Sequence, residues 1–393
     1  MKRQKILHIV EAMGGGIFSY IVELANGLSD EFDVIIAFGI RNETPENYAD
    51  YFNENVKLIR VKSFSRSLNP IKDFKACFEV RKIVKQTEPD IIHLHSSKAG
   101  AIGRISLSAS HRKMFYTPHG YSFFMEDIPV FKRKIFKQVE RVLGKKNCMT
   151  VACGRGEWEK SKMVTSNSTY VSNGINTAKI DRVMGRIGNK SVSGKSVEAS
   201  AVGVDECSKL NESSLDVSER TIASGETRHE FTVYTVGRIT YQKNPEKFNR
   251  IAELLPDIKF LWIGEGDMKE YLTSPNIEVT GWKNGDETIA LAMQGDIFIL
   301  PSRWEGLPIS LLEAMYMEKL CIVSDVVGNN DLIFNDATGF VCDTAEQFAE
   351  KIKERMNVDN SEITGNAYKE IVDNYNSLGL CRDYKKLYEG SEG

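Results

Sequence analysis

Apolar residues along this chain recur in short, nearly continuous runs. KILHIVE, FDVIIAFG, VKLIRV, DIIHLH, KMFYTPHG, CMTVACG and TYVSNGI read as strands within the first 175 residues. Between several of them the spacing changes to a helical period, as in IFSYIVELANGLS and IKDFKACFEVRKIVKQ. Strand and helix alternating in this way predict a parallel sheet wrapped by helices. The pattern returns from residue 231 with FTVYTVGRI, KFLWIGEG, IEVTGW, DIFILPS and LCIVSDV. The expected fold class is therefore α/β, with two doubly wound domains facing a central cleft. In such folds ligands bind at the carboxyl ends of strands, and with two domains the cleft is the expected site.

The region between the two patterns differs in kind. Residues 171–230 contain no Phe, Tyr or Trp, and 191–230 hold nine serines. A stretch this poor in aromatics cannot bury enough surface to offset its ordering entropy. It predicts a Ser-rich interdomain insertion over 177–230, flexible from 185 to 228. At 393 residues, 41% of them hydrophobic, the chain suits two domains, each with its own core. A net charge of −3 excludes the basic signature of a nucleic-acid-binding protein, so no nucleic acid is expected as partner. Seven cysteines without a CxxC read as reduced thiols, which points to the cytoplasm. MKRQKILHIVEAM has the basic start of a signal peptide, but Glu11 and the glycines 14–16 fit a first strand and its turn. No apolar run approaches the roughly 20 residues of a membrane span, so membrane contact is expected to be peripheral.

One segment suits such contact. PVFKRKIFKQVERVLGKKN, residues 129–147, sets Phe131, Ile135, Val139, Val142 and Leu143 on one helical face. Seven cations oppose the single acid Glu140. A basic amphipathic helix of this kind either lies on an anionic membrane or packs on a core with its charges in solvent.

The candidate chemistry sits at predicted strand ends. In WEGLPISLLEAM, Glu305 and Glu313 stand eight positions apart around an apolar run that predicts a helix, with Pro308 in its first turn. Eight residues bring Glu313 to within about 80° of Glu305, so both can reach a ligand at the helix N-terminus. Free amides there suit a phosphate and the carboxylates suit hydroxyls, a combination that an activated sugar offers. Arg238 and Lys243 flank the turn in VGRITYQKNPE, where two cations grip a diphosphate or remain solvated surface charges. Gly14, Gly15 and Gly16 either let a ligand approach the backbone or form a plain turn. His119, in YTPHGYSFF, also ends a strand. GEGDMK lacks the third glycine of a dinucleotide fingerprint, with Lys269 in its place, which counts against NAD. There is no DxD pair and no GxSxG nucleophile motif. His93 and His95 share a strand face, but the sequence suggests no third ligand, so no metal and no other cofactor is expected.

Together these segments resemble family 4 glycosyltransferases of the GT-B architecture, two Rossmann-like domains about a cleft. EGLPISLLEAM looks like that family's E-x7-E motif, supported by VGRITYQKNPE, VTGWKNG and SDVVGNN in the expected order. TPHGY and HSSKAGAIGR resemble first-domain segments of bacterial members that build surface polysaccharides, and EIVDNYNSLGLCRDYKKLYEG resembles the family's terminal helix. The resemblance implies an acceptor-binding domain over 1–176, a nucleotide-sugar-binding domain over 231–370 and a terminal helix over 371–393 that crosses back. The insertion at 177–230 departs from the family pattern. It further implies that Glu305 and His119 serve the reacting sugar and that Glu313 takes the ribose. Arg238 and Lys243 would take the diphosphate, approached also by Gly15, Gly16, Gly306 and Leu307. The backbone about Trp282 and Lys283 would meet the base. The implied reaction is retaining, metal-free transfer of a hexose or N-acetylhexosamine, from a UDP-sugar first of all, to a lipid-linked or growing saccharide in capsule, O-antigen or exopolysaccharide synthesis. A nucleotide-sugar epimerase and a non-catalytic nucleotide-sugar-binding protein are the alternatives.

Overall fold

Strands apolar on both faces need cover above and below, and here helices supply it on both sides of two parallel sheets. The structure is a computed structural model that describes residues 3–11, 13–41, 43–65, 69–107, 113–192 and 230–390, without the side chains of 186–192. The first sheet comprises β1 (Lys5–Val10), β2 (Asp33–Phe38), β3 (Lys57–Arg60), β4 (Ile91–His95), β5 (Lys113–Thr117), β6 (Met149–Ala152) and β7 (Ser168–Tyr170), in the order β3-β2-β1-β4-β5-β6-β7. The second comprises β8 (Thr232–Val236), β9 (Lys259–Ile263), β10 (Ile277–Val279), β11 (Ile297–Leu300), β12 (Leu320–Val323) and β13 (Phe340–Val341), in the order β10-β9-β8-β11-β12-β13. Every paired strand runs parallel. Strand order reverses beside β1 in one sheet and beside β8 in the other, which opens a crevice at the carboxyl ends of both.

The connection between the sheets differs from the expectation at its start. Helix Thr177–Val192 lies inside the segment expected to be insertion, and its Ile180 and Val183 are buried in the core of the second unit. Two well-placed apolar residues anchor a turn of helix without aromatics. The rest of the expected flexible stretch, 193–228, lies outside the described residues. The far end differs too. Helix Ser361–Asn374 packs on the second unit, with Ile371 in its core, and the crossing helix begins only at Ser377. That helix, Ser377–Glu389, lies along helix Gly15–Leu28 and buries Tyr384 and Tyr388 against the first sheet. Tyr20 donates its hydroxyl proton to Tyr384 Oη at 2.7 Å, and Lys113 Nζ donates to the Tyr388 carbonyl at 2.6 Å.

The basic helix runs over Val130–Leu143, and its orientation is unusual. Phe131, Ile135, Val139 and Val142 are exposed, while Glu140 and Leu143 are buried. The reason lies beneath it. Arg104, on helix Ser97–Ser106, donates from Nη2 to Glu140 Oε2 at 2.8 Å, and Tyr116 Oη donates to Glu140 Oε1 at 3.0 Å. The Arg104 guanidinium also lies 4.0 Å from the centre of the Tyr116 ring. A charge buried this deeply must keep its partners, so the ionic contact faces the sheet and the apolar stripe faces out.

Glu140→Ala leaves Arg104 buried without its counter-charge and is expected to lower the free energy of unfolding by about 3–5 kcal/mol. Urea denaturation measures this, and a loss below about 1 kcal/mol would show that solvent reaches the pair.

Candidate active site

The turn after β8 and the turn after β11 are built to meet. Asn244 adopts the left-handed conformation at φ 59°, caps helix Pro245–Glu253 through its side chain, and donates from Nδ2 to the Pro301 carbonyl at 3.1 Å. That tie brings Lys243 against Glu305, Nζ to Oε1 at 2.7 Å, with little of either side chain exposed. Gln242 Nε2 adds donations to the Trp304 carbonyl at 3.0 Å and to Glu305 Oε2 at 3.4 Å. Helix Ile309–Tyr316 begins four residues past Glu305, with Pro308 at its N-cap rather than in its first turn. Glu313 therefore stands just over one turn inside it.

The first unit closes on this edge from across the cleft. A Cβ on Gly306 would lie 3.1 Å from Cys153 Sγ and 3.4 Å from the Gly120 amide nitrogen, so a side chain here would crowd the backbone after His119. Asn173 Nδ2 donates to the Leu307 carbonyl at 2.9 Å. Gly15, at φ +56°, opens helix Gly15–Leu28, and a Cβ there would stand 3.7 Å from Arg238 Nε. Gly16 faces Ile309 in the same manner. Arg238 itself pairs with Glu43 of the first unit, Nη1 to Oε1 at 2.8 Å.

His119 lies two residues beyond β5 at φ 52°, a left-handed conformation that histidine tolerates better than most residues. Its ring meets the edge of Tyr20 at 4.7 Å between centres. The peptide that follows is held by Glu157, which accepts from the Gly120 amide at 2.6 Å and from the Cys153 amide at 2.9 Å. Burial pushes the Glu157 carboxyl above its usual range and the His119 imidazole down to about 3.

Glu313 lines a pocket of about 70 Å³ with Tyr20, Glu23, Asn176, Lys179, Gly285 and Ile309. Burial raises Glu313 to about 7, Lys179 draws it down and Glu23 adds to the rise. Trp282 is exposed and Lys283 half-buried on the loop after β10, and neither lines this pocket. The structure thus brings Gly15, Gly16, His119, Arg238, Lys243, Glu305, Gly306, Leu307 and Glu313 to one interdomain seam, and no contact ties Trp282 or Lys283 to it among the described residues.

Several contributors were not apparent from sequence. Glu43, Glu23, Lys179, Glu157 and Asn173 carry no motif and arrive through tertiary contacts. His8 is another. It faces His93 across β1 and β4, and ring nitrogens of His8, His93 and His95 lie within 4.8 Å of one another, so the strand-face pair has a third neighbour that spacing did not reveal.

Comparison with known proteins agrees with this fold. The family Glycosyltransferase Family 4 matches residues 14–179, and Glycosyl transferases group 1 matches residues 218–370. The chain is 28% identical over 362 residues to UDP-Gal:alpha-D-GlcNAc-diphosphoundecaprenol alpha-1,3-galactosyltransferase of Escherichia coli, across 86% of this chain and 85% of that protein. It is 26% identical over 404 residues to N,N'-diacetylbacillosaminyl-diphospho-undecaprenol alpha-1,3-N-acetylgalactosaminyltransferase of Campylobacter jejuni, across 96% of each. Anabaena HepE, solved in complex with UDP and glucose, superposes with a TM-score of 0.70 at 14% identity over 99% of this chain and 100% of that one. Two family matches in tandem, on two parallel sheets whose strand ends face each other, establish that the chain is a family 4 glycosyltransferase of the GT-B fold and of the bacterial surface-polysaccharide type.

Proposed function

We propose that the protein transfers a hexose or N-acetylhexosamine, with retention of anomeric configuration, from a UDP-sugar to a lipid-linked or growing saccharide of a capsule, O-antigen or exopolysaccharide. The observation that carries this reading is the Lys243–Glu305 pair at the ends of β8 and β11, with the His119–Gly120 peptide packed against Gly306. Lys243 and Arg238 neutralise the departing diphosphate, a charge that a divalent ion would otherwise take, so no metal is needed. Arg238 exchanges Glu43 for phosphate as the donor enters. Glu305 receives the sugar hydroxyls and offsets positive charge growing at C1. Glu313 accepts from the ribose hydroxyls, Gly15, Gly16, Gly306 and Leu307 offer backbone to the phosphates, and the peptide at Trp282 and Lys283 meets the base. The leaving phosphate takes the acceptor's proton, since no side chain stands as nucleophile in the reading. A pocket of about 70 Å³ admits a handful of waters, so the two units part to admit a nucleotide.

UDP in the names of the Escherichia coli relative and of the Anabaena complex supports a uridine donor. The diphosphoundecaprenol acceptors of the two bacterial relatives support a lipid-linked one. The same relatives transfer sugars, which disfavours the epimerase alternative; an epimerase would turn over donor with no acceptor present. Work at the inner membrane face is supported by the outward apolar stripe of helix Val130–Leu143, edged by Lys132, Lys134 and Arg141. No helix among the described residues is long and apolar enough to cross a membrane. Helix Pro70–Thr87 also exposes apolar residues, Ile71, Phe74 and Phe78, among Lys72, Lys75, Arg81 and Lys82. Each cation near an anionic surface contributes about 1 kcal/mol.

Lys243→Ala and Glu305→Gln are each expected to lower kcat/KM by roughly 10²–10³, with Lys243→Ala also weakening UDP binding. EDTA should leave turnover intact; full activity in both variants, or an EDTA loss that Mg²⁺ restores, would refute the assignment. Glu313 holds its proton more tightly in the folded chain, so its effect on stability is neutral below its usual value of 4.5 and becomes a penalty as pH rises to about 7. Glu313→Gln should therefore raise Tm by roughly 2–4 °C near pH 8 and leave it unchanged near pH 4, as calorimetry would read. The protein should sediment with anionic vesicles in a manner that fades with salt. Neutralising Lys132, Arg133 and Lys134 should halve that binding or more, and unchanged partitioning would remove the helix from the interface.

A further inference from the structure

A row of imidazoles runs from the cleft into the interior of the first unit. His119 Nε2 stands 3.1 Å from His95 Nδ1, and His95 Nε2 stands 3.0 Å from His8 Nδ1. The row ends there: His8 Nε2 is buried with no hydrogen-bond partner. At the other end, His119 Nδ1 has no partner among the described residues and is not enclosed. His8 and His95 are wholly buried, and burial holds both imidazoles, like that of His119, far below the range in which they would carry charge.

Neutral imidazole has one N–H and one bare nitrogen, and this rule couples the three rings. If His95 donates from Nδ1 to His119, its Nε2 is bare and must accept from His8 Nδ1–H. Both bonds then point outward, His119 Nε2 accepts, and the proton of His119 sits on Nδ1, facing the cleft. If His95 instead donates from Nε2 to His8, both bonds point inward. His119 then shows a bare nitrogen to the cleft, and His8 carries its proton on an Nε2 that nothing accepts. A buried N–H without an acceptor is among the rarest features of folded proteins, and an unsatisfied acceptor is better tolerated. The outward arrangement is the one that leaves only a lone pair unsatisfied.

We propose that His95 and His8 are positioning residues that fix His119 with its proton on Nδ1, making it a hydrogen-bond donor to an oxygen of the glycosyl donor and not a base. This rests on the reading of His119 as a cleft residue of the transferase. The strands build the relay: His95 pairs with Val10 on β1 and with Thr117 on β5, so the first and third rings follow from the register of adjacent strands. Tyr20 against the His119 ring holds its plane. The nearby His93 lies outside the row, since its two nitrogens face Tyr388 Oη at 2.5 Å and Thr117 Oγ1 at 2.8 Å. Those bonds also argue against a metal among His8, His93 and His95. Both nitrogens of His93 and both of His95 already have partners, which leaves His8 Nε2 as the trio's spare nitrogen.

Long-range ¹H–¹⁵N spectra of the full chain labelled with ¹⁵N-histidine report each tautomer directly. The wild type should show His119 protonated on Nδ1. His8→Asp puts a carboxylate acceptor in place of the Nδ1 donor, so His95 should donate from Nε2 and His119 should move to a mixed or Nε2-protonated form while kcat for transfer falls about tenfold at unchanged donor KM. His8→Asn, whose amide can donate from the place of Nδ1, should restore both. An Nε2 proton on His119 in the wild type would overturn the proposal, as would a tautomer indifferent to His8→Asp or one zinc ion retained per chain after dialysis. A tautomer that switches while kcat stays constant would overturn its catalytic part. Absence of any sugar transfer, with the expected spectra, would instead sink the transferase reading of the site and leave the relay standing.

Discussion

A lysine and a glutamate that hold each other 2.7 Å apart set the geometry of the cleft. Two charges this little exposed are costly to desolvate and persist only when further contacts complete them. Gln242 and the left-handed turn at Asn244 supply those contacts, and through them the ends of β8 and β11 become one rigid edge. The first unit is registered against that edge at points where a side chain would crowd its neighbour or a backbone group needs a partner: Gly306 under Gly120, and Leu307 under Asn173. The crossing helix Ser377–Glu389, locked through Tyr384 and Tyr388, ties the second unit back onto the first sheet. A site assembled from two bodies thus gains fixed contacts on each side and a seam between them.

Beside that ionic pair, burial shifts two carboxyls and the histidines of the seam toward their neutral forms. Glu157 is raised and serves as an acceptor for two amides, and Glu313 is raised to about 7 beside Glu23. The histidines are lowered and linked to one another. Such groups give direction to hydrogen bonds, while in the proposed reaction the charge on the diphosphate meets Lys243 and Arg238. In a water-poor cleft, preset donors and cations of this kind lose little in reorganisation as charge develops.

Much of the fold was legible because parallel strands buried on both faces are continuous apolar runs. Twelve of those runs lie on or beside strands, and the two-residue β13 is too short to leave one. The E-x7-E spacing and the cations after β8 were legible as well, since each sits within a few residues of a strand end. What a helical wheel cannot say is which face turns inward. The stripe at 131, 135, 139 and 142 looks outward because Glu140 answers Arg104, a partner 36 residues away. Nor does low aromatic content alone mark the end of order, since Ile180 and Val183 reach the second core. Glu43, Glu157, Lys179 and His8 act through residues remote in sequence, so no local pattern could single them out.

The most direct measurement is a crystal structure of the protein with UDP bound in the absence of divalent ions. The account predicts the diphosphate between Arg238 and Lys243, with Glu43 displaced and the ribose hydroxyls on Glu313. A nucleotide bound elsewhere, or one ordered only with a metal ion between phosphate and protein, would contradict it.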